Sequence, residues 1–231
     1  MTESDKVVPV VNLPNALTVL RLAVVPVFAW MLLAHPHDMT WRWITTAVFI
    51  VALLTDLADG AIARKKGLIT DFGKLWDPIA DKAITGMAMI GLSILGELWW
   101  WVTIIILIRE WGITIMRFMI VKYGVQAADK LGKMKTLFQT IALVGLLAPF
   151  VLHMNASIDA TQATFIPEAW YWVCLILHWV AVIAMGIAFI LTVVSGVNYC
   201  IGAWKLRQNW LANQADGQDS TETEVHEPDA R

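Results

Sequence analysis

The residues Asp56-Leu57-Ala58-Asp59-Gly60-Ala61-Ile62-Ala63-Arg64 close one long apolar run, and Gly73-Lys74-Leu75-Trp76-Asp77-Pro78-Ile79-Ala80-Asp81-Lys82 open the next. Four carboxylates therefore stand at the adjoining ends of two hydrophobic segments. On helices, Asp56 and Asp59 (three apart) share a face, and so do Asp77 and Asp81 (four apart). A short basic connection makes the two helices expected antiparallel neighbours, with the carboxylate pairs converging at one depth. Four like charges in a low-dielectric site would take up protons or destabilise the fold unless cations join them. Oxygen-only donors suit hard ions, Mg²⁺ or Mn²⁺, and two such ions can share four carboxylates. Asp56, Asp59, Asp77 and Asp81 are the expected metal ligands. The plainer alternative is helix capping, or pairing with Arg64, Lys74 and Lys82. It accounts for any single aspartate better than for two matched pairs.

The residues between the pairs suit a phosphate ligand. Gly60 has no side chain, so a ligand can approach the helix backbone beside Asp59, and Gly73 does the same for the next helix. Arg64 lies two turns beyond Asp56 on roughly the same face, where a guanidinium can fork onto phosphate oxygens. Thr70 either hydrogen-bonds a phosphate or sits in a surface turn. Together they describe a flat slot with metals at its base and a cation at its rim, fit for a pyrophosphate attached to a nucleotide.

The rest of the chain supplies a bilayer setting. Of its 231 residues, 58% are hydrophobic and only 16% charged. Soluble domains carry roughly 45–50% apolar and about 25% charged residues. A net charge of −2 argues against a nucleic-acid partner. A membrane helix needs about 20 mostly apolar residues. Six stretches approach that: Leu17–Leu33, Trp43–Ala63, Ile79–Leu95, Trp99–Val121, Leu137–Leu152 and Trp170–Val197. Trp41, Trp43, Trp99 to Trp101, Trp170 and Trp172 fall at predicted ends, as in interfacial aromatic belts. The expected fold is an all-α integral membrane protein with six transmembrane helices and no internal repeat.

Lysine and arginine set the orientation. Arg64, Lys65, Lys66, Lys74, Lys122, Lys130, Lys133, Lys135, Lys205 and Arg207 all fall on one side of the alternating connections, with Arg42 alone at the edge of the other. The positive-inside rule then predicts both termini and the aspartates on the cytoplasmic face of the cell membrane. The predicted organisation is a cytoplasmic N-terminal segment over 1–14, a six-helix membrane domain over 15–200, and a polar tail over 201–231. From about Gln208 the tail has too little apolar surface to fold and is expected to be disordered. The first apolar run lacks a basic leader and a small-residue cleavage site, and reads as a retained helix. Cys174 and Cys200 lack metal-ligand spacing and are too far apart on one helix to bridge. The five histidines share no face with the aspartates and receive no role.

The pattern Asp56-x-x-Asp59-Gly60-x-x-Ala63-Arg64, eight residues, then Gly73-x-x-x-Asp77-x-x-x-Asp81 resembles the complete CDP-alcohol phosphotransferase motif, with every fixed position filled. The resemblance covers about residues 10–200, including the six-helix pattern. It implies transfer of a phosphatidyl group from CDP-diacylglycerol to an alcohol with release of CMP, and a homodimeric enzyme. It also implies that Asp81, besides binding metal, is the general base on the acceptor hydroxyl. The stretch Pro14 to Thr18 corresponds to where relatives approach the nucleotide, which puts Asn15 and Thr18 beside the CDP-lipid. Asn15 equally suits a helix N-cap after Pro14.

Outside the motif, Asn12 to Arg21, Arg109-Glu110, Arg117 and Gly132-Lys133-Met134-Lys135-Thr136 followed by Gln139 are similar to the bacterial branch that makes phosphatidylglycerophosphate, in which glycerol 3-phosphate is the acceptor. A phosphorylated acceptor needs a second cationic pocket, and Arg109, Arg117, Lys133 and Lys135 are its candidates. Each has an alternative: Lys133 and Lys135 can anchor to anionic lipid headgroups, and Arg109 can pair with Glu110 or an aspartate. Arg21 either faces the site or snorkels to the interface. The competing enzymatic readings are synthases of cardiolipin, phosphatidylinositol phosphate or phosphatidylserine. A cation transporter is the rival of another class, and it would place carboxylates near the bilayer midplane in two related halves.

Overall fold

The computed structural model describes residues 13–66, 71–120, 130–158 and 168–225, and for residues 13–15, 57–66, 71–75, 77, 81, 118, 120, 130, 156–158, 209 and 212–225 it describes the backbone alone. The described residues form seven helices: α1 (Leu13–Ala34), α2 (Met39–Lys66), α3 (Asp71–Ile94), α4 (Trp100–Ile120), α5 (Lys130–Leu147), α6 (Phe150–Ile158) and α7 (Glu168–Val225). There is no strand among them, as a bilayer demands of a chain that does not close a barrel.

Three stretches are both long and apolar enough to cross a membrane: Ala16–Ala34, Leu131–Asn155 and Glu168–Gln208. Helices α2, α3 and α4 have the length, at 28, 24 and 21 residues, but carry charged side chains that thin their apolar content. Several boundaries differ from those expected. α3 begins at Asp71, eight residues before Ile79, because a helix continues through polar turns that an apolar-run reading discards. Its first turn begins with an acidic residue, favourable at the positive end of the helix dipole. The fifth run divides at Pro149 into α5 and the nine-residue α6. α7 runs for 58 residues to Val225, through the stretch expected to be disordered. Helix propagation costs far less than nucleation, so a packed span can extend into a polar continuation.

Contacts between helices fix their directions. Arg42 near the start of α2, Glu97 in the α3–α4 turn, and Leu146 and Leu147 at the end of α5 meet at one end of the bundle. Farther along, Arg21 pairs with Asp56, and Lys82, Glu110, Thr114 and Lys135 form a second cluster. Successive helices α2 to α5 therefore alternate in direction. α1 packs along both α2 and α3, which touch one another only sparingly, and α5 packs most extensively on α7. α2 and α3 are antiparallel, as expected, and α1 supplies a wall that they share.

The core is apolar and closely fitted. Phe28, Leu32, Phe49, Met89, Leu92, Ile106, Leu143 and Leu147 are fully buried or nearly so. Small residues let helices approach: a Cβ on Gly145 would stand 2.5 Å from the Cβ of Ala181 on α7. Large apolar side chains such as Val51, Ile108, Ile176 and Ile183 point outward, as on a lipid-facing surface.

The end opposite the aspartates is held by polar structure. Asp38 caps α2, its Oδ1 accepting from the amides of Thr40 at 2.8 Å and Trp41 at 3.1 Å. α3 ends on Gly96 at φ 75°, where the amides of Glu97 and Leu98 return to the carbonyl of Leu92. Arg42 forks onto Glu97 at 2.9 and 2.7 Å and donates to the carbonyls of Leu147 and Leu146 at 3.1 and 3.0 Å. These last two carbonyls are among those that a helix end leaves without partners. Sequence reading took Arg42 for a connection-edge charge; the fold buries it completely.

Candidate active site

Asp56 lies in the second half of α2, which continues ten residues further to Lys66 and so does not end at the aspartates as expected, and its carboxylate forms an ion pair with Arg21 of α1. Arg21 is buried and Asp56 about one-third exposed. Of the two alternatives for Arg21, the fold takes the site-facing one: a guanidinium this far inside a membrane helix is costly without a counter-charge, and Asp56 provides it. Thr18 lies one turn before Arg21 on the same side of α1 and is equally buried.

Asp59, Gly60 and Arg64 follow on the helical backbone of α2, and Gly73, Asp77 and Asp81 on that of α3. Their side chains, and that of Asn15, lie outside the described side chains; Thr70 lies outside the described residues. Among the described residues no three carboxylate, histidine or thiol side chains stand together. The donor set nonetheless fits a hard divalent cation: four carboxylates at helical spacing, of which the described one already engages a positive charge.

Lys82 follows Asp81 and shows where this part of α3 is anchored. Its Nζ donates to the carbonyl of Glu110 at 3.2 Å and to the hydroxyl of Thr114, whose own hydroxyl donates to the Glu110 carbonyl at 2.9 Å. Lys135 of α5 reaches the same helix from the other side, its Nζ 2.5 Å from Glu110 Oε1. Both of these side chains are buried, at 5% and 8% exposure.

Between α3, α4 and α5 is a cavity of about 290 Å³ lined by Lys82, Thr85, Arg109, Glu110, Arg117, Lys135, Thr136, Gln139 and Thr140, among others. Among the described residues, its lining holds four cationic side chains and one carboxylate. The spacing explains the face: Arg109 and Arg117 are two turns apart on α4, and Lys135, Gln139 and Leu143 are successive turns of α5. α7 braces the two arginines. Arg109 Nη2 donates to Ser195 Oγ at 2.7 Å, and the Arg117 guanidinium lies 6.0 Å over the Tyr199 ring.

The four expected acceptor cations thus divide. Arg109, Arg117 and Lys135 line this cavity. Lys133 does not; it is exposed, because two residues before Lys135 turns it about 200° around the helix. Arg109 donates to Ser195, 86 residues away. Sequence reasoning missed Lys82, Thr114, Ser195 and Tyr199, and Gln139 was noted without a role. Lys82 had one available signal, a charge adjoining Asp81 within an apolar run.

A second groove, about 450 Å³ and almost wholly apolar, runs between α1 and α2 along Leu17, Leu20, Val24, Val48, Val51 and Ala52. Arg21 and Thr55 stand at its charged end, beside Asp56.

A helical fold with apolar spans, four aspartates spaced along α2 and α3, and a cavity whose described lining is rich in cations point to a class. The CDP-alcohol phosphatidyltransferase family profile matches residues 11–194, and the chain belongs to that family. It is similar to a probable phosphatidylglycerophosphate synthase of Mycobacterium tuberculosis (strain ATCC 25618 / H37Rv), with 42% identity over 191 residues, covering 82% of this chain and 80% of the relative. It is also similar to the CDP-diacylglycerol–glycerol-3-phosphate 3-phosphatidyltransferase of Bacillus subtilis (strain 168), with 35% identity over 208 residues, covering 84% and 96%. A protein of the same name from Rickettsia typhi (strain ATCC VR-144 / Wilmington) shares 39% over 134 residues, covering 57% of this chain and 74% of the relative.

Proposed function

We propose that this chain transfers the phosphatidyl group of CDP-diacylglycerol to glycerol 3-phosphate, giving phosphatidylglycerophosphate and CMP. The observation that carries the reading is the cavity whose described lining holds four cations and one carboxylate, Lys82, the residue after Asp81, among them. A small acceptor bearing a phosphate has the size and charge to enter it. The names of the similar proteins support the same acceptor.

Asp81 takes the proton from the acceptor's terminal hydroxyl, and the resulting oxygen attacks the phosphorus that carries the diacylglycerol. The bond from that phosphorus to the bridging oxygen breaks, and the electron pair leaves with CMP. Arg109, Arg117 and Lys135 hold the acceptor's phosphate, so its terminal hydroxyl is presented toward Asp81. Arg64 receives phosphate oxygens of the CDP-lipid, and Gly60 and Gly73 let it approach the helix backbones. Asn15, Thr18 and Thr70 complete its polar contacts. The α1–α2 groove takes one acyl chain, whose phosphate end then arrives beside Arg21 and Asp56.

Asp56, Asp59, Asp77 and Asp81 would hold two divalent ions, Mg²⁺ or Mn²⁺. Bound there, such ions supply neutralisation of charge on the pyrophosphate and on the leaving CMP.

In the cell, the protein is proposed to span a bacterial plasma membrane six times through α1 to α5 and α7, with both termini and the site on the cytoplasmic face. Residues 15–200 form the catalytic domain, the polar end of α7 projects beyond the bilayer, and the working unit is a homodimer.

The test is CMP release from labelled CDP-diacylglycerol by the full chain in detergent with Mg²⁺ or Mn²⁺, across a panel of glycerol 3-phosphate, glycerol, inositol phosphate, serine and phosphatidylglycerol. Glycerol 3-phosphate is expected to give the highest kcat/KM. Preference for glycerol or phosphatidylglycerol overturns the acceptor, and no CMP with any alcohol overturns the transferase reading.

A further inference from the structure

Gln139 sits on the α5 wall of the cationic cavity, one turn beyond Lys135, and its side chain is nine-tenths buried or more. Its Oε1 is buried with no hydrogen-bond partner among the described residues. Its Nε2 donates only to the sulfur of Met89, at 3.7 Å, a weak acceptor. A buried amide with one end orphaned and the other on a thioether destabilises the fold relative to an apolar residue of the same shape. Leucine or methionine would fill this place among Met89, Leu143 and the cavity wall at no such cost.

The cations of the cavity are suited to a phosphate, and they leave the acceptor's other groups unaddressed. Lys135 is engaged by Glu110 within the lining, while Arg109 is held by Ser195 and Arg117 lies over Tyr199, both on α7. Gln139 is a buried polar group in the described lining with an uncommitted hydrogen-bonding atom. A hydroxyl both donates and accepts, so it satisfies whichever end of the amide faces the cavity.

We infer that Gln139 reads the secondary (C2) hydroxyl of the acceptor, and so separates a glycerol phosphate from phosphorylated alcohols that lack that group. The inference rests on the acceptor reading above. Gln139 is a specificity residue in this assignment: it touches the part of the acceptor that does not react, and selectivity arises because an acceptor without the hydroxyl leaves the buried amide unpaired.

The experiment compares glycerol 3-phosphate with 3-hydroxypropyl phosphate, which keeps the phosphate and the terminal nucleophile but lacks the C2 hydroxyl. CMP release gives kcat/KM for both acceptors with the full chain in detergent, for the natural sequence and for Gln139→Met. The natural protein is expected to favour glycerol 3-phosphate by at least about tenfold. In Gln139→Met that ratio falls to about unity, through loss on glycerol 3-phosphate with turnover of the analogue and KM for CDP-diacylglycerol retained. A variant that loses equally on both acceptors, or keeps the ratio, overturns the assignment and returns Gln139 to a packing role. Equal use of both acceptors by the natural protein overturns it while leaving the acceptor reading intact. Use of neither overturns the acceptor reading and this inference with it. Should Gln139→Met fail to fold, Gln139→Asn, which withdraws the amide by one methylene, is expected to show the same collapse of the ratio, and its retention of the ratio counts against the proposal equally.

Discussion

The ammonium of Lys135 lies 2.5 Å from Glu110 Oε1, and the pair is buried between α4 and α5. This relationship changes what Lys135 can do. Its charge is largely matched by a neighbouring carboxylate, so Lys135 acts in the cavity as one half of an ion pair. Removing Lys135 would leave Glu110 as a buried, uncompensated charge, a change that costs about 3–5 kcal/mol. Lys135→Met is therefore expected to lower the unfolding midpoint in detergent as well as raise KM for the acceptor. The double variant Lys135→Met with Glu110→Gln should recover most of the stability but not the KM. A double variant as unstable as the single would show that the pair is not coupled.

Arg42 offers the opposite separation, of stability from activity. It closes a four-bond cluster on Glu97, Leu146 and Leu147. Fourteen helical residues at about 1.5 Å each put it about 21 Å from Asp56. Arg42→Met strands one carboxylate and two carbonyls, and should cost about 3–5 kcal/mol. The kcat of the folded fraction should stay within about twofold, as expected for distant sites. A large drop in kcat for properly folded material would show that the two ends of the bundle are coupled.

The α5–α7 seam makes a steric prediction. Gly145→Ala places a methyl 2.5 Å from the Ala181 Cβ, which cannot move without its helix. Overpacking of this kind costs about 1–3 kcal/mol. Gly186→Ala on α7 meets nothing within 4 Å and should be neutral or slightly stabilising. Equal melting temperatures for the two variants would mean that the seam is looser than the backbone approach implies.

At the aspartates, Asp81→Asn should lower turnover by about 10²- to 10⁴-fold, the usual scale for loss of a general base. CDP-diacylglycerol binding should persist, since three carboxylates and Arg64 remain. Equilibrium binding of the labelled lipid beside single-turnover CMP release separates the two effects. Turnover above a few per cent of the original would remove Asp81 from the base role.

Much of the site was readable in one dimension because its residues lie close along the chain. A ligand set drawn from two helices repeats at three or four residues, and that spacing is why Asp56, Asp59, Asp77 and Asp81 are the proposed ligands. The acceptor pocket was half legible. Clustered cations suggested it, but a basic stretch does not say which of its lysines faces inward. Lys133 and Lys135 differ by two residues in the chain and by a cavity wall in space.

The sequence by itself determined the helical membrane character, the carboxylate pairs and the family, because apolar run length, helical spacing and an unbroken motif are local properties. Tertiary structure alone decided which charges meet. Arg21 meets Asp56 across 35 positions, Arg42 meets Glu97 across 55, and Arg109 meets Ser195 across 86. A charge inside a bilayer must find a partner, but helix packing chooses it, and no spacing rule along the chain carries that choice. The spacing of the four carboxylates is local to the chain; the cation-lined cavity exists only through the packing of α3, α4 and α5, with α7 bracing its arginines.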